Sequence, residues 1–170
     1  TLALDPKNFQ SALPQQHWHL FFEDPSIGLN VGVWDTTTMQ EAFGPYPGDE
    51  FVWVLEGQFA MVNGQGGAVK ARKGDCVAFR NGAPMSWKQE GYLKKYFITL
   101  LDPKAETPSI ADADGAVIVM DPGAALKVTS KPGDPIEREY VAFTNDAGSM
   151  TVGTWECEDA HFPMEPFSVH

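Results

Sequence analysis

Glu50 keeps the most chemically suggestive company in this chain. It opens the run Glu50-Phe-Val-Trp-Val-Leu-Glu-Gly57, and Tyr46 precedes it by four residues. A carboxylate buried among aromatic side chains can act as a general acid or base, because burial raises its pKa toward neutrality. The plainer alternative is a structural carboxylate satisfied by backbone donors or by Arg80 or Lys88. Strand alternation puts Trp87 on the same face as Met85, two residues earlier, whereas Trp53, three from Glu50, faces the other way. His17-Trp18-His19 has a spacing that sets two imidazoles on one face of a strand, but no carboxylate matches it in the pattern. It reads as a strand edge or an interface. Cys76 falls in a run of β-formers and reads as a small core residue rather than a thiol catalyst. No Ser/His/Asp triad, phosphate loop or Cys pair is apparent.

The elements that must position these residues are strands. Phe51 to Leu55 are bulky, mostly β-forming residues that run into Glu56-Gly57, a buried strand ending in a turn. Seventeen residues later Gly74-Asp-Cys-Val-Ala-Phe-Arg-Asn-Gly82 repeats the sequence of turn, strand and turn. Further strands are expected around 29–36, 58–63, 67–72, 84–89 and 92–101, after an early strand at Leu20-Phe21-Phe22 within a lead-in. Asn63-Gly-Gln-Gly-Gly67 is a hairpin turn, since glycine supplies the positive φ of tight turns. With 16 glycines, 13 prolines and no long helical stripe in 170 residues, the chain is expected to be all-β, a sandwich or barrel.

Charge narrows the partners. The formal net charge is −11, and such a surface is repelled by phosphate backbones and anionic lipid, so neither nucleic acid nor membrane is an expected partner. No stretch approaches the roughly 20 apolar residues of a spanning helix. Thr1-Leu-Ala-Leu-Asp-Pro6 is too short and polar for a secretory leader. Two cysteines, Cys76 and Cys157, make no disulfide framework, and a cytoplasmic location is the expectation.

An internal repeat runs through the chain at an offset of 121 residues. Val31-Gly-Val-Trp34 matches Val152-Gly-Thr-Trp155, and the same offset pairs Pro14 with Pro135, Phe22 with Phe143 and Pro45 with Pro166. The six identities over 36 positions cluster in one motif and in register, as a duplication requires. His170 aligns with Asp49, so the counterparts of Glu50 and of the strands after it are not in the sequence. The expected organisation is a first barrel over 1–101, a linker over 102–115 and the beginning of a second repeat over 116–170, as in a piece of a longer two-barrel protein. A half-built second sheet would leave open edges and apolar surface unless it docks on the first barrel or on another chain.

Glu50 with Gly57, followed by the Gly74-Asp75 turn, a strand and the turn at Gly82, resembles the two motifs of the cupin superfamily. The pattern from Trp34 through Pro45-Tyr46 to Glu50 and Gly57 is most similar to the ureidoglycine aminohydrolase-like family, which includes ethanolamine-utilisation cupins. The resemblance implies an RmlC-like jelly-roll barrel, or double-stranded β-helix. Metal-binding cupins carry H-x-H-x3-E in the first motif and a further His in the second. Here those positions fall on Gly44, Tyr46, Glu50 and Met85. Only the carboxylate survives, and thioether or phenol ligands suit a hard divalent ion poorly, so no metal is expected in the first barrel. The resemblance turns Tyr46 and Met85 into the barrel, and with Glu50, Trp87 and Trp34 they are the expected lining of a site for a small planar or sugar-like ligand. The competing expectation is that they only fill the core.

In the second repeat the ligand-like positions fall on Glu165 and Phe167, flanked by His161 and His170. The family's two-barrel members carry Mn in the second barrel, and Glu165 is the residue carried over as a weak metal-ligand candidate. The leading expectation is a small-molecule-binding cupin. The alternative is a metal-dependent enzyme (Mn, Fe, Zn or Ni) acting on C–N bonds of a small polar metabolite in a complete second barrel. Cupins commonly pair through N-terminal strands, so a homodimer joined near Phe9 to Phe22 is also expected.

Overall fold

The computed structural model describes residues 2–101, 108 and 115–159. After a short 3-10 turn at Pro6–Asn8, the strands are β1 (Gln16–Asp24), β2 (Leu29–Thr36), β3 (Met39–Gln40), β4 (Gly44–Pro45) and β5 (Asp49–Glu56). There follow β6 (Gln58–Asn63), β7 (Ala68–Arg72), β8 (Cys76–Phe79), β9 (Pro84–Gln89) and β10 (Leu93–Leu100). β11 (Val117–Val119), β12 (Lys127–Val128), β13 (Glu137–Thr144) and β14 (Thr151–Cys157) complete them. The expected early strand is real but longer, since β1 takes in His17-Trp18-His19 as well as Leu20-Phe21-Phe22. No described helix is long and apolar enough to cross a membrane.

Two antiparallel sheets face each other. The larger has the order β1-β2-β10-β5-β8-β11, and the smaller β3-β9-β6-β7 with β4 also on β9. Alternation along each strand sends one face inward. Val52 and Val54 of β5, Val77 and Phe79 of β8, and Leu93 and Phe97 of β10 meet Phe59, Met61, Met85 and Trp87 from the smaller sheet, all buried. Phe59 stacks on Trp87 at 4.0 Å and Tyr46 on Phe79 at 4.8 Å, so the core is strongly aromatic. Gly57 makes the β5–β6 corner. Its φ is +81°, and a Cβ there would lie 2.2 Å from the Tyr92 carbonyl, so only glycine fits. The Asn63 side chain closes the expected β6–β7 hairpin by accepting from the N–H groups of Gln65 and Gly67.

The segment from residue 116 onward opens by extending the large sheet: β11 pairs with β8, Val117 opposite Phe79. The β12-β13-β14 sheet then packs on the outer face of the large sheet. Phe143, Val152 and Met150 contact Ala78, Phe51 and Ile118. Asn145 donates from Nδ2 to Asp49 Oδ2 at 3.0 Å, and Arg80 pairs with Asp146 at 2.6 Å.

The β1–β2 and β13–β14 hairpins share three details at the sequence offset of 121. A β-bulge interrupts the register between Leu20 and Phe22, and again between Val141 and Phe143. A Cβ on Gly32 would meet the His19 carbonyl at 2.4 Å, and one on Gly153 the Tyr140 carbonyl at 2.3 Å. A cross-strand ion pair joins His17 to Asp35 at 2.9 Å, and Arg138 to Glu156 at 3.0 Å. Each glycine therefore answers the same local need, room for a bulged partner strand to approach.

Candidate functional site

A cavity of about 310 Å³ opens between the two sheets where β1, β2, β5, β9 and β10 converge. Glu50, inward-facing on β5, lies at its base and is 5% exposed. Both of its carboxylate oxygens are taken. Lys95 Nζ of β10 sits 2.8 Å from Oε1, and the Tyr46 hydroxyl donates to Oε2. Burial and the adjacent negative charge of Glu50 hold the Tyr46 phenol well above its usual pKa, so it stays a proton donor. The Lys95 ammonium also lies over two indole rings, 5.0 Å from Trp34 and 4.8 Å from Trp87. Trp87 is held in turn by its N–H bond to Gln89 Oε1 at 2.9 Å. Two rings and a carboxylate thus hold one buried cation, and the phenol holds the carboxylate.

Four of the five residues expected to form the site, Trp34, Tyr46, Glu50 and Trp87, line this cavity. Met85 does not. It is buried opposite Gly44 and faces a separate, smaller void with Met61 and Val117. The expected partners of Glu50 are corrected as well. Arg80 pairs with Asp146 at the outer face of the sheet and Lys88 points away, whereas Lys95 supplies the charge. Trp53 faces outward as alternation requires and is 48% exposed. His17 does have a carboxylate partner, Asp35, directly across the β1–β2 register, and its ring is on the outer face away from the cavity. Cys76 is on the outer face of β8 rather than in the core, and burial pushes its thiol pKa up. Glu165, His161, Phe167 and His170 lie outside the described residues.

Sequence reasoning missed Lys95 and Glu41. Lys95 shares a face with Leu93 and Phe97, both buried, so alternation alone could have placed it inside. Glu41 follows the two-residue strand β3 and lines the cavity wall. Its backbone is pinned, with N–H donating to the Trp87 carbonyl at 2.8 Å and C=O accepting from Ser86 Oγ at 2.6 Å. Burial, the largest cause, pushes its carboxyl pKa up to about 7, with Lys95 pulling down and Glu50 pushing up. Gln16, Asn30 and Thr99 add polar groups, and Trp18 and Phe97 add apolar wall.

At the ligand-like positions expected from the sequence, Gly44 offers no side-chain donor, Met85 faces another void, and the Tyr46 hydroxyl donates to Glu50. A positive charge, the Lys95 ammonium, already neutralises the remaining carboxylate. No group of three His, Cys, Asp or Glu side chains comes together among the described residues.

No family model matches the chain. No curated protein matches it either. Solved structures do. A protein of unknown function in the DUF861 family from Pseudomonas syringae pv. tomato is 31% identical with a TM-score of 0.54, over 58% of this chain and 42% of that one. The chain therefore spans less than half the length of that relative. The EutQ protein of Clostridium difficile matches 59% of this chain and 81% of its own at 14% identity and a TM-score of 0.45. A cupin superfamily protein from Desulfitobacterium hafniense matches 52% and 79% at 15% identity and a TM-score of 0.41. With two facing antiparallel sheets, the β5–β6 corner at Gly57 and the β7–β8 turn at Gly74-Asp75, the fold is a jelly-roll barrel.

Proposed function

We propose that the barrel is a small-molecule-binding cupin whose site works without a metal. The observation that carries this reading is the buried Glu50–Lys95 pair, bracketed by Tyr46, Trp34 and Trp87 at the base of an open cavity. A core with no task gains little from such a pair, because desolvating two charges offsets most of their attraction. A cavity with apolar walls and a few fixed polar groups is the usual form of a small-ligand site. The test is elemental analysis of the purified protein combined with a thermal-shift screen of small metabolites. The expected result is no stoichiometric transition metal and stabilisation by a subset of compounds, lost in Lys95→Met. A bound metal at one equivalent would overturn the metal-free part of the reading.

Residues 116–170 fit a second cupin repeat, a reading supported by the shared bulge, glycine and ion pair of the β13–β14 hairpin. The expected enzymatic alternative belongs to that repeat. Measuring metal uptake by a chain extended past His170 would separate the two readings.

A further inference from the structure

The cavity holds two carboxylates in opposite states. Glu50 is saturated by Lys95 and Tyr46, while no described side chain donates a hydrogen bond to, or forms an ion pair with, the carboxylate of Glu41. No buried side-chain oxygen lacks a partner among the described residues, so the Glu41 carboxylate reaches the open cavity, where a ligand that brings a donor can replace water. The sign of that donor follows from the local charges. Glu41 and Glu50 face one ammonium, and that ammonium is already bound by Glu50 and covered by two indoles. An anionic ligand would meet two carboxylates and would compete with Glu50 for Lys95. A cationic ligand would meet the Glu41 carboxylate, with the aromatic side chains of Trp18 and Trp34 lining the same cavity.

Building on the reading of this cavity as a ligand site, we infer that it takes a small organic amine, its ammonium on Glu41 and its apolar body against Trp18 and Trp34. At about 310 Å³ the cavity is at the small end of ligand sites, a match for a one-ring compound. Binding is coupled to protons. The groups facing Glu41 are Lys95 from β10, Glu50 from β5 and Tyr46 ahead of β5, and with a carboxyl near 7 the free site is half protonated at neutral pH. An ammonium ligand needs the ionised form, so it displaces a proton from Glu41. Affinity then falls as pH drops below 7, approaching tenfold per pH unit.

Calorimetric titration of the wild-type chain with benzylamine, benzyl alcohol and benzoate, at pH 8 and pH 6, tests this. Benzylamine is expected to bind best, to weaken about tenfold between pH 8 and pH 6, and to release a proton seen as a buffer-dependent enthalpy. Glu41→Gln, nearly isosteric, is expected to lose about tenfold or more in benzylamine affinity and all of its pH dependence. Benzoate binding as tightly as benzylamine, or an unchanged affinity in Glu41→Gln, would overturn the ligand class while the cavity reading stands. Failure of all three probes overturns the amine assignment. A fragment screen read by Trp fluorescence then decides the broader reading, since hits of another charge keep the cavity as a ligand site and an empty screen removes both.

Discussion

The β1–β2 and β13–β14 hairpins are the same local structure placed in two environments. They share the bulge, the tight glycine and the cross-strand ion pair, residue for residue at one offset. Yet Trp34 lies over Lys95 at the cavity, while its counterpart Trp155 is 60% exposed. The first hairpin gains β10 on its far side and a second sheet across the core. The second, among the described residues, has only β12 beside it and the barrel's outer face beneath. Hairpin geometry is thus written locally, whereas what a side chain can do is decided by neighbours the hairpin does not carry.

The comparison can be broken most forcefully at the paired glycines. Gly32→Val drives a branched side chain into the His19 carbonyl of the edge strand β1 and toward the buried Phe97 ring, and is expected to cost more than about 4 kcal/mol, enough to prevent folding. Gly153→Val makes the same clash but is expected to release only the outer hairpin, leaving a folded barrel in calorimetry and NMR spectra. Equal losses would mean that the hairpin is part of one cooperative unit with the barrel.

The ion pairs come next. Lys95→Met strands Glu50 in the core and is expected to lower stability by about 3–5 kcal/mol in denaturant titration. Arg138→Met on the exposed hairpin is expected to change it by less than about 1 kcal/mol. The tryptophans should separate less widely. Trp34→Ala is expected to cost roughly 2–3 kcal/mol, below a full core truncation because the ring is half-buried, and Trp155→Ala within about 0.5 kcal/mol.

A pH dependence belongs to the cavity alone. The Glu41 carboxyl is raised from 4.5 to about 7 in the folded chain, so the native state holds a proton that the unfolded state has released. Its contribution therefore favours folding least at high pH, and stability falls as pH rises between those two values. Glu41→Gln removes that slope and is expected to raise the Tm at pH 8 by a few degrees, with no gain at pH 4. A parallel shift at both pH values would mean that packing, not titration, sets the difference.

Most of the barrel's strands were legible because bulky β-formers alternate between turns marked by glycine, and β2, β6 and β9 match their expected bounds to the residue. β3 and β4 were not, since two-residue strands carry no periodicity, and Glu41 was lost with them. Lys95 hid beside Lys94 in what looks like a solvated charged stretch, although only one of the two is buried. Its motif position puts Met85 in the site, but the side chain lines a separate void with Met61 and Val117. A motif position fixes which sheet face a residue takes, and which of two voids it fills depends on packing the motif does not encode.

Asp49 and Glu50 are neighbours in sequence on opposite faces of β5. Glu50 answers to Lys95 and Tyr46 inside the barrel, and Asp49 to the Asn81 N–H and the Asn145 amide outside it. A slip of one residue in the pairing of β5 would exchange the two carboxylates and orphan both sets of donors at once. A misregistered barrel is therefore penalised on both faces of the same strand.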